Sequence, residues 1–217
     1  MEKNKTNQST VIEGLISIEE SILNNENKWN TITYSWYTLK KRYNLDTVFT
    51  VDIESNFPFK YTAHGLYYQE APYQQALFVH CVSGAASIII IDLRPESSTF
   101  CAYNQIILDA NDNDFHAVYI PKGCTYGFVT LEDNTTLRFK SDNYFKREFE
   151  RKVNFLDPYF NICIPYPDKF STPVSISELM AAKKIIISVE DKHAPWVHKV
   201  IQSSQPIINQ EGCEREY

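Results

Sequence analysis

The stretch ALFVHCVSGAASIIIIDLR (residues 76–94) decides the fold class of this chain. It holds two runs of Val, Ile, Leu and Phe separated by SGAA (83–86), which predicts two buried strands joined by a tight hairpin. The same texture continues on both sides. From about residue 47 to residue 141, short β-prone runs follow one another with Gly, Pro, Asn, Asp or Ser between them: TVFTVDI, HGLYYQ, TFCAYNQIIL, HAVYIP, YGFVTLE and TTLRFKS. Many short strands without intervening helices predict an all-β sandwich or barrel.

Two segments outside this block predict short helices. SWYTLKKRYNL (35–45) has the mixed three- and four-residue apolar spacing of a helix. SISELMAAKK (175–184) predicts a second helix, capped by Ser175 or Ser177. Both helices are expected at the periphery of the β domain.

The remaining segments predict additional strands, a turn and two tails. VIEGLISI (11–18) and KIIISVE (184–190) have strand composition, and DANDND (109–114) predicts a turn. Residues 1–10 and 204–217 are polar and are expected to be flexible tails. No linker divides the rest, so residues 11–203 are expected to form one domain.

The composition excludes several classes of protein. The chain has 217 residues, 43% of them hydrophobic, which is enough for one sizeable core. Its net charge is −6, from 27 acidic and 21 basic residues, so nucleic acid is not an expected partner. MEKNKTNQST lacks an apolar signal segment, and SIIIIDL is too short to span a bilayer. We therefore expect a cytoplasmic protein without a membrane partner.

The cysteines predict neither a metal site nor a disulfide framework. The chain has five, Cys81, Cys101, Cys124, Cys163 and Cys213, and none forms a CxxC pair. The sequence also lacks the HxH motif of metal-binding jelly rolls. We interpret the cysteines as buried thiols of a protein in a reducing compartment and expect no metal and no cofactor.

A series of short motifs carries a resemblance to a known family. HGLYYQ is followed in unbroken order by APYQQALFVHCVSG, IDLRPESSTF, YIPKGCTYGF, FKSDNY, EFERKVNFLDP, NICIPYP and ISVED with Pro195. The series resembles that of the dTDP-4-dehydrorhamnose 3,5-epimerases (RmlC-like cupins), which runs RGLHYQ, KLV and G, VDLR with S-x-T-F, IPxGFAHGF, YK with a Tyr, ExxxxWxDP, IxWP and LSxKDxxxP. The resemblance covers roughly residues 47–195. It implies an all-β double-stranded β-helix, or jelly roll, in which Pro121, Gly123 and Gly127 bracket a corner between strands.

The chemistry of this family needs an acid and a base on opposite faces of a sugar. Its members epimerise carbons next to the ketone of a nucleotide-linked 4-keto-6-deoxy sugar. A histidine of GLHYQ removes the acidic proton, oriented by the aspartate of LSxKD, and a tyrosine of the YK motif returns one. A lysine before LV stabilises the enolate.

The present sequence departs from the family at most of these positions. The base histidine corresponds to Tyr67, the acid tyrosine to Phe139, and the enolate lysine to Ala76. The histidine of AHGF corresponds to Tyr126, and only the orienting acid is retained, as Asp191. The family mechanism in its usual form is therefore not expected to operate.

The end of the site that meets the nucleotide is altered as well. The arginine of RGL, which meets phosphate in the family, corresponds to His64, and the polar residues that assist it fall near Asp52 and Glu54. Carboxylates at those places would repel a diphosphate. His64 could still meet phosphate or act as a substitute base, or it could be structural.

The free-energy cost of a tyrosine in place of the base histidine supports a loss of activity. A histidine titrates near pH 6.5 and a tyrosine near pH 10, so about one Tyr67 phenol in a thousand is ionised at neutral pH. The loss of that fraction of base costs about 4 kcal/mol. A neighbouring Asp191 would raise the tyrosine pKa further, because like charges disfavour ionisation.

The candidate site therefore combines two kinds of residue. Tyr67 and Asp191 are the candidates for catalysis, and the substrate-binding candidates are His64, Gln69, Tyr126, Phe139, Lys140 and Tyr144. The aromatic members either stack on a sugar or base or fill an abandoned pocket.

Three functions remain open from the sequence. The first is an epimerase-like protein that binds a nucleotide-linked deoxysugar with its acid and base residues replaced. The second is an active epimerase or isomerase with a rebuilt site that uses Tyr67 and Asp191, or His64. The third is a binding or structural module unrelated to sugars. The resemblance also implies a homodimer.

Overall fold

The structure is a computed structural model that describes residues 12–18, 21–25, 28–111, 117–164 and 173–204. The expected tail at residues 1–10 lies outside these ranges. Of the tail expected at residues 204–217, only Ser204 lies within them, at the end of the last helix. The single domain at residues 11–203 stays a prediction.

Strands make up most of the described elements. The strands are β1 (Ile16–Ile18), β2 (Ser21–Asn25), β3 (Lys28–Ile32), β4 (Val51–Phe57), β5 (Thr62–Gln69), β6 (Leu77–Ser83), β7 (Ala85–Asp92), β8 (Tyr103–Asp109), β9 (Ala117–Ile120), β10 (Cys124–Thr130), β11 (Thr135–Ser141), β12 (Glu150–Lys152), β13 (Cys163–Ile164), β14 (Val174–Ser175) and β15 (Ile186–Ile187). The helices are α1 (Trp36–Tyr43), α2 (Ile176–Ala181), α3 (Val189–Lys192) and α4 (Val197–Ser204), with a 3-10 turn at Arg147–Phe149.

The main strands form two antiparallel sheets. The first sheet has the order β1-β9-β6-β11-β4, and the second has the order β12-β5-β10-β7-β8, with β15 added parallel to β5. Their facing sides share one apolar core, which includes Val79 of β6, Ile90 of β7 and Leu137 of β11. Two packed antiparallel sheets confirm the predicted all-β class.

The run SIIIIDL is buried on both sides of its sheet. Ile88 and Ile90 point into the core between the sheets, whereas Ile89 and Ile91 point into a second core on the far side of the second sheet. That second core is closed by later segments, including Phe155 and Leu179. A strand covered on both faces needs no polar alternation, which explains the unbroken apolar run.

The SGAA segment is not a hairpin within one sheet. It connects β6 in the first sheet to β7 in the second, and these two strands are not paired with each other. Gly84 has φ +69 at this crossover, and a side chain there would meet Thr135. The predicted hairpin was wrong because a jelly-roll strand changes sheet at such a corner.

Helix α1 covers the outer face of the first sheet. The side chain of Ser35 caps the first turn of this helix, and Asn44 ends the helix in the left-handed conformation. Its buried Leu39 packs with Phe78 and Tyr119 of the sheet in a third cluster.

Several sequence expectations differ from the structure in detail. Within the described part of VIEGLISI, residues 12–18, only Ile16–Ile18 is a strand, and at KIIISVE the strand is Ile186–Ile187 and a helix follows. Gly127 lies within β10 and not at the corner, because β5 approaches its backbone closely. Residues 112–114 of the predicted turn lie outside the described residues.

The predicted helix cap and the predicted thiols have mixed outcomes. Ser175 caps α2 through a complete capping box with Glu178. Cys81, Cys124 and Cys163 are free thiols, but Cys101 is disulfide-bonded, so the expectation of free thiols was wrong at that position. In the part of the chain that the structure describes, no helix has the length and apolarity needed to cross a membrane.

Candidate functional site

A cavity of about 250 Å³ opens between the two sheets, beside the edge strand β4. Most of its wall is aromatic or aliphatic. The described residues that line it are Ile53, Ser55, Phe57, His64, Tyr67, Gln75, Leu77, Tyr126, Phe128, Phe139, Ser141 and Phe145.

An irregularity in β5 points both His64 and Tyr67 into the cavity. Gly65 pairs with Gly127, and Tyr67 pairs with Tyr126, so Leu66 is an extra residue on β5. Leu66 packs into the core on the far side of the sheet. Without this bulge, residues three apart on a strand would face opposite sides.

Two glycines make the bulge possible. A side chain on Gly65 would lie 2.8 Å from the Cα of Gly127 and 2.8 Å from the carbonyl oxygen of Tyr126. Gly65 also has φ +103, a conformation that residues with a Cβ rarely adopt. The backbones of β5 and β10 can therefore approach only because both positions lack side chains.

Tyr67 and Asp191 form a hydrogen-bonded pair at the inner end of the cavity. The Tyr67 hydroxyl donates to Asp191 Oδ2 at 2.8 Å. Asp191 Oδ1 accepts from Lys152 Nζ at 3.0 Å, and Lys152 also reaches Glu190 at 2.9 Å. Asp191 is 2% exposed, and an unpaired carboxylate is costly to bury. The hydrogen bonds from Tyr67 and Lys152 offset this cost.

Local structure positions each member of this network. Ser188 caps α3 by accepting from the backbone N–H of Asp191 at 3.0 Å, which orients the carboxylate toward β5. Lys152 lies opposite Tyr67 on the neighbouring strand β12. Its ammonium lies 4.9 Å from the centre of the Tyr67 ring, within the range of a cation–π contact.

The environment keeps Tyr67 protonated. Burial, followed by the hydrogen bond to Asp191 and its charge, raises the pKa of Tyr67 far above its ordinary value. Burial opposes the charge on Lys152, but hydrogen bonds to Glu190 and Asp191 raise the pKa of this ammonium. Tyr67 is therefore a neutral donor to Asp191 and a poor base.

His64 stands beside Tyr67 among aromatic rings. Its ring centre lies 5.0 Å from that of Tyr67, and it stacks on Phe128 at 5.6 Å with an interplanar angle of 18°. Burial lowers the pKa of His64, although the charge of Asp191 opposes this shift. The imidazole is therefore neutral at pH 7.

Aromatic rings continue around the cavity wall. Phe128 lies 4.9 Å from Phe57 and 5.9 Å from Phe139, centre to centre. Tyr126 lies 6.5 Å from Phe139, and burial raises the pKa of this phenol to about 12. The structure thus brings together five of the sequence candidates: Tyr67, Asp191, His64, Tyr126 and Phe139.

Ala76 does not face the cavity, which corrects its assignment to the enolate lysine. It packs with Leu39 and Phe78 on the outer face of the first sheet. The neighbours Gln75 and Leu77 line the cavity instead, because successive residues of a strand face opposite sides. The one-residue gap allowed in the motif comparison had assigned the position of the enolate lysine to Ala76, which lies on the outer face.

Lys140 also lies on the outer face and does not reach the cavity. Its ammonium pairs with Asp52 and lies 4.9 Å from the centre of the Tyr34 ring. Glu54 pairs with Arg138 on the same face. The expected repulsion of a diphosphate by Asp52 and Glu54 is therefore not supported, since both carboxylates have cationic partners outside the cavity.

Gln69 and Tyr144 serve a loop near the cavity and are not part of its lining. Gln69 is buried and its amide donates to the carbonyl oxygens of Tyr73 and Tyr144, at 2.8 and 2.9 Å. Its side-chain oxygen accepts from the backbone N–H of Lys146. The Tyr144 side chain is exposed, and the next residue, Phe145, lines the cavity.

Sequence reasoning missed Lys152, Phe145, Ser55 and Ser141. The charge run KREFERK (146–152) has the composition of a solvated face, and nothing in it singles out Lys152, which meets Asp191. Ser55 and Ser141 belong to the alternating patterns of β4 and β11, so their inward orientation could have been read from the neighbouring apolar residues.

A larger groove of about 490 Å³ lies on the other side of β5. Two of its charged residues already have partners, since Arg94 pairs with Asp92 and Glu70 with Arg151. It contains neither Tyr67 nor His64, so we place the candidate site in the smaller cavity. Among the described residues, no three His, Cys, Asp or Glu side chains converge as metal ligands would.

Comparison with known proteins places the chain in a family. The family model described as dTDP-4-dehydrorhamnose 3,5-epimerase matches residues 9–199, most of the chain. The chain belongs to the dTDP-4-dehydrorhamnose 3,5-epimerase family. The resemblance inferred from the motif order is therefore confirmed.

Individual relatives agree with this family. A dTDP-4-dehydrorhamnose 3,5-epimerase of Mycobacterium tuberculosis is 31% identical over 146 residues, which are 67% of this chain and 69% of the relative. This degree of identity places the protein among epimerase-like proteins of nucleotide-sugar metabolism.

Solved structures of epimerases share the fold. That of dTDP-6-deoxy-D-glucose-3,5-epimerase RmlC from Legionella pneumophila, in complex with dTDP-4-keto-L-rhamnose, has a TM-score of 0.73 at 22% identity and covers 92% of this chain and 96% of its own. The dTDP-4-dehydrorhamnose 3,5-epimerase of Bacillus anthracis, with TDP and PPi bound, has a TM-score of 0.72 at 24% identity, with 88% and 99% coverage. The predicted jelly roll is confirmed.

Proposed function

We propose that this family member binds a nucleotide-linked deoxysugar but does not epimerise it by the mechanism of its relatives. The hydrogen bond from Tyr67 to Asp191 carries this proposal. The support for a nucleotide sugar is the family itself and the ligands named for the Legionella and Bacillus structures. In this reading Tyr67 and Asp191 shape the cavity and no longer transfer protons.

Tyr67 is unsuited to remove a carbon-bound proton. Its phenol has a pKa raised by burial and by Asp191, so the phenolate is scarcer than in a free tyrosine. Forming the phenolate of Tyr67 at pH 7 therefore costs more than the roughly 4 kcal/mol that applies to an unperturbed tyrosine.

The other walls offer little help with proton return or enolate binding. Phe139 lines the cavity with a side chain that has no proton to donate. Gln75 Nε2 is already committed to Ser141 Oγ and to the carbonyl oxygen of Asn143. None of the described lining residues is a lysine or arginine that could hold an enolate oxygen.

A second candidate function is an isomerase or epimerase with His64 as base. The observation that favours it is the position of His64, which is neutral and lines the cavity beside Tyr67. A neutral imidazole in contact with substrate can accept a proton. Tyr67 would then orient the substrate as a hydrogen-bond acceptor.

Deuterium exchange separates these candidates. The protein is incubated in heavy water with a dTDP-linked 4-keto-6-deoxy sugar, and the C3 and C5 protons are followed by NMR. We expect saturable binding without exchange above the protein-free background. Exchange that persists in Tyr67→Phe and disappears in His64→Gln would establish His64 as the base and overturn the binding-only proposal.

A melting-temperature screen tests binding itself. A ligand present at a hundredfold its Kd stabilises the folded state by about 2.7 kcal/mol. We expect stabilisation by dTDP-linked sugars and less by the free sugars. The lack of a shift with every nucleotide and nucleotide sugar would favour the third possibility, a module unrelated to sugars.

The assembly and location of the protein are also proposals. We infer a homodimer from the family resemblance, since closed two-fold pairing is the commonest oligomer. Light scattering after size exclusion should give about twice the 25.2 kDa chain mass. We also propose a cytoplasmic location, which fractionation of the source cells would test.

A further inference from the structure

We propose that the ring held in the aromatic cavity carries a protonated amino group, so that the ligand is a nucleotide-linked aminodeoxysugar. This inference rests on the proposed function, because it concerns the same cavity. Hydrogen-bond direction, aromatic walls and local charge each support a cationic donor over a ketone.

The polar group at the inner end of the cavity can only accept a hydrogen bond. A tyrosine has one hydroxyl hydrogen, and that of Tyr67 is directed to Asp191 at 2.8 Å. The Lys152 ammonium binds the other oxygen of Asp191 at 3.0 Å, so the carboxylate is the acceptor in the pair. The Tyr67 oxygen, which the backbone N–H of Gly65 also approaches, can therefore accept from an ammonium or a hydroxyl, whereas a ketone or enolate oxygen would meet its lone pairs with repulsion.

Aromatic rings line the walls around this acceptor. Phe57, Tyr126, Phe128 and Phe139 all line the cavity, and successive ring centres lie 4.9 to 6.5 Å apart. Ring faces carry negative potential and attract a cation within about 6 Å, most strongly where water is excluded. Such a cage suits an alkylammonium and gives no advantage to a ketone.

The cationic group next to the cavity is already paired with carboxylates. The Lys152 ammonium lies 4.9 Å from the centre of the Tyr67 ring and binds both Glu190 and Asp191. The charge of Asp191 has a larger effect on the pKa of His64 than that of Lys152. The described lining itself contains no lysine or arginine.

The one histidine of the lining is compatible with a cation. His64 is exposed at the cavity mouth, but the neighbouring rings of Phe128, Phe57 and Tyr67 desolvate one side of its imidazole and lower its pKa. A neutral imidazole adds no positive charge to the wall. It can also accept a hydrogen bond through one ring nitrogen.

The size of the cavity restricts which part of the ligand it holds. Its volume of about 250 Å³ is below the range of 300–1,000 Å³ that is usual for drug-sized ligands. One sugar ring fits, and a whole nucleotide sugar does not. The diphosphate must therefore lie outside the aromatic walls, where its negative charge does not oppose the carboxylates.

Calorimetry with matched ligands tests the inference. The probes are dTDP, a dTDP-linked 3-amino-3,6-dideoxyhexose, its N-acetyl derivative and the corresponding 3-hydroxy and 4-keto sugars. We expect the amine to bind about tenfold more tightly than the N-acetyl and hydroxy forms. Equal affinities, or tighter binding of the keto sugar, would overturn the inference while leaving the proposed function intact. Failure of every probe, dTDP included, would remove both.

Variants of the cage locate the effect. Phe139→Leu keeps an apolar side chain and removes an aromatic face, so it should abolish most of the preference for the amine. Phe145→Leu removes a further aromatic ring of the lining, beyond the four rings of the cage, at an exposed position with little risk to folding. Tyr37→Phe, on the exposed surface of α1, is the control and should keep the preference. An unchanged preference in both lining variants, Phe139→Leu and Phe145→Leu, would contradict the proposed recognition.

Discussion

At the scale of single residues, a tyrosine at position 67 gives the hydrogen bond to Asp191 a different consequence from the one that a histidine would give it. A neutral histidine beside a carboxylate donates from one nitrogen and keeps the other free to accept a proton. The Tyr67 phenol has one hydrogen and gives it to Asp191, so Tyr67 offers no basic nitrogen in its place. On the proposed function, Asp191 therefore holds Tyr67 in position and takes no part in proton transfer.

Removal of the Tyr67 hydroxyl should destabilise the fold. Tyr67→Phe leaves Asp191 Oδ2 without this donor in a site that is 2% exposed. We expect a loss of about 1–3 kcal/mol in the free energy of unfolding, measured by urea denaturation. Tyr37→Phe, exposed on α1, should change the stability by less than about 0.5 kcal/mol. Equal effects of the two variants would argue against the buried pair.

His64 should make stability depend on pH in the acidic range. Its pKa is lowered from 6.5 by burial, so the unfolded chain takes up a proton at this position before the folded chain does. This contribution is absent above the unfolded-state pKa and destabilises the fold as the pH falls below it. Between about pH 7.5 and about pH 5.5, wild type should lose more stability than His64→Gln. Parallel losses in urea titrations at both pH values would contradict this assignment.

At the scale of elements, the contact between β5 and β10 depends on two residues without side chains. Gly65→Ala would place a Cβ 2.8 Å from backbone atoms of β10 at φ +103. We expect a loss of about 2–4 kcal/mol in unfolding free energy and a weaker Tyr67–Asp191 pair. Gly14→Ala is the control, since φ there is +77 but the nearest atoms are 3.8 Å away. It should cost only the conformational strain, about 1 kcal/mol, and a comparable loss in both variants would show that strain alone is responsible.

At the scale of the whole molecule, the fold divides into three apolar clusters with different roles. The cluster under α1 lies outside the sheets and includes Leu39, which is 2% exposed. Leu39→Ala should lower the unfolding free energy by about 2–4 kcal/mol. Since Leu39 packs on the opposite face of the first sheet, the variant should still bind nucleotide with unchanged affinity at temperatures where it is folded. A loss of affinity in the folded variant would show that the outer layer and the cavity are coupled.

The strand pattern made most of this architecture predictable. Side-chain orientations could be predicted where a strand is regular, and could not be predicted next to a bulge. Lys140 was expected in the site beside Phe139, but residues alternate along a regular strand, so the inward Phe139 directs Lys140 outward and this error was avoidable from the sequence. The shared orientation of His64 and Tyr67 could not be read in this way, because the bulge at Leu66 breaks the alternation. Ala76 was misplaced since a gap in a motif comparison has no physical anchor. The contacts of Gln69 and Tyr144 depend on the geometry of the neighbouring loops, which the local sequence does not encode.

The extra residue Leu66 separates two requirements on strand β5, which are packing on the far side of the sheet and lining of the cavity. Leu66 packs into the core on the far side of the sheet, so the side chains at positions 64 and 67 can face the cavity instead. New side chains at those two sites can alter what the protein recognises while Leu66 still fills the far side of the sheet. A substitution there costs the contacts of that one side chain, such as the Tyr67–Asp191 hydrogen bond, and leaves the join between the layers in place.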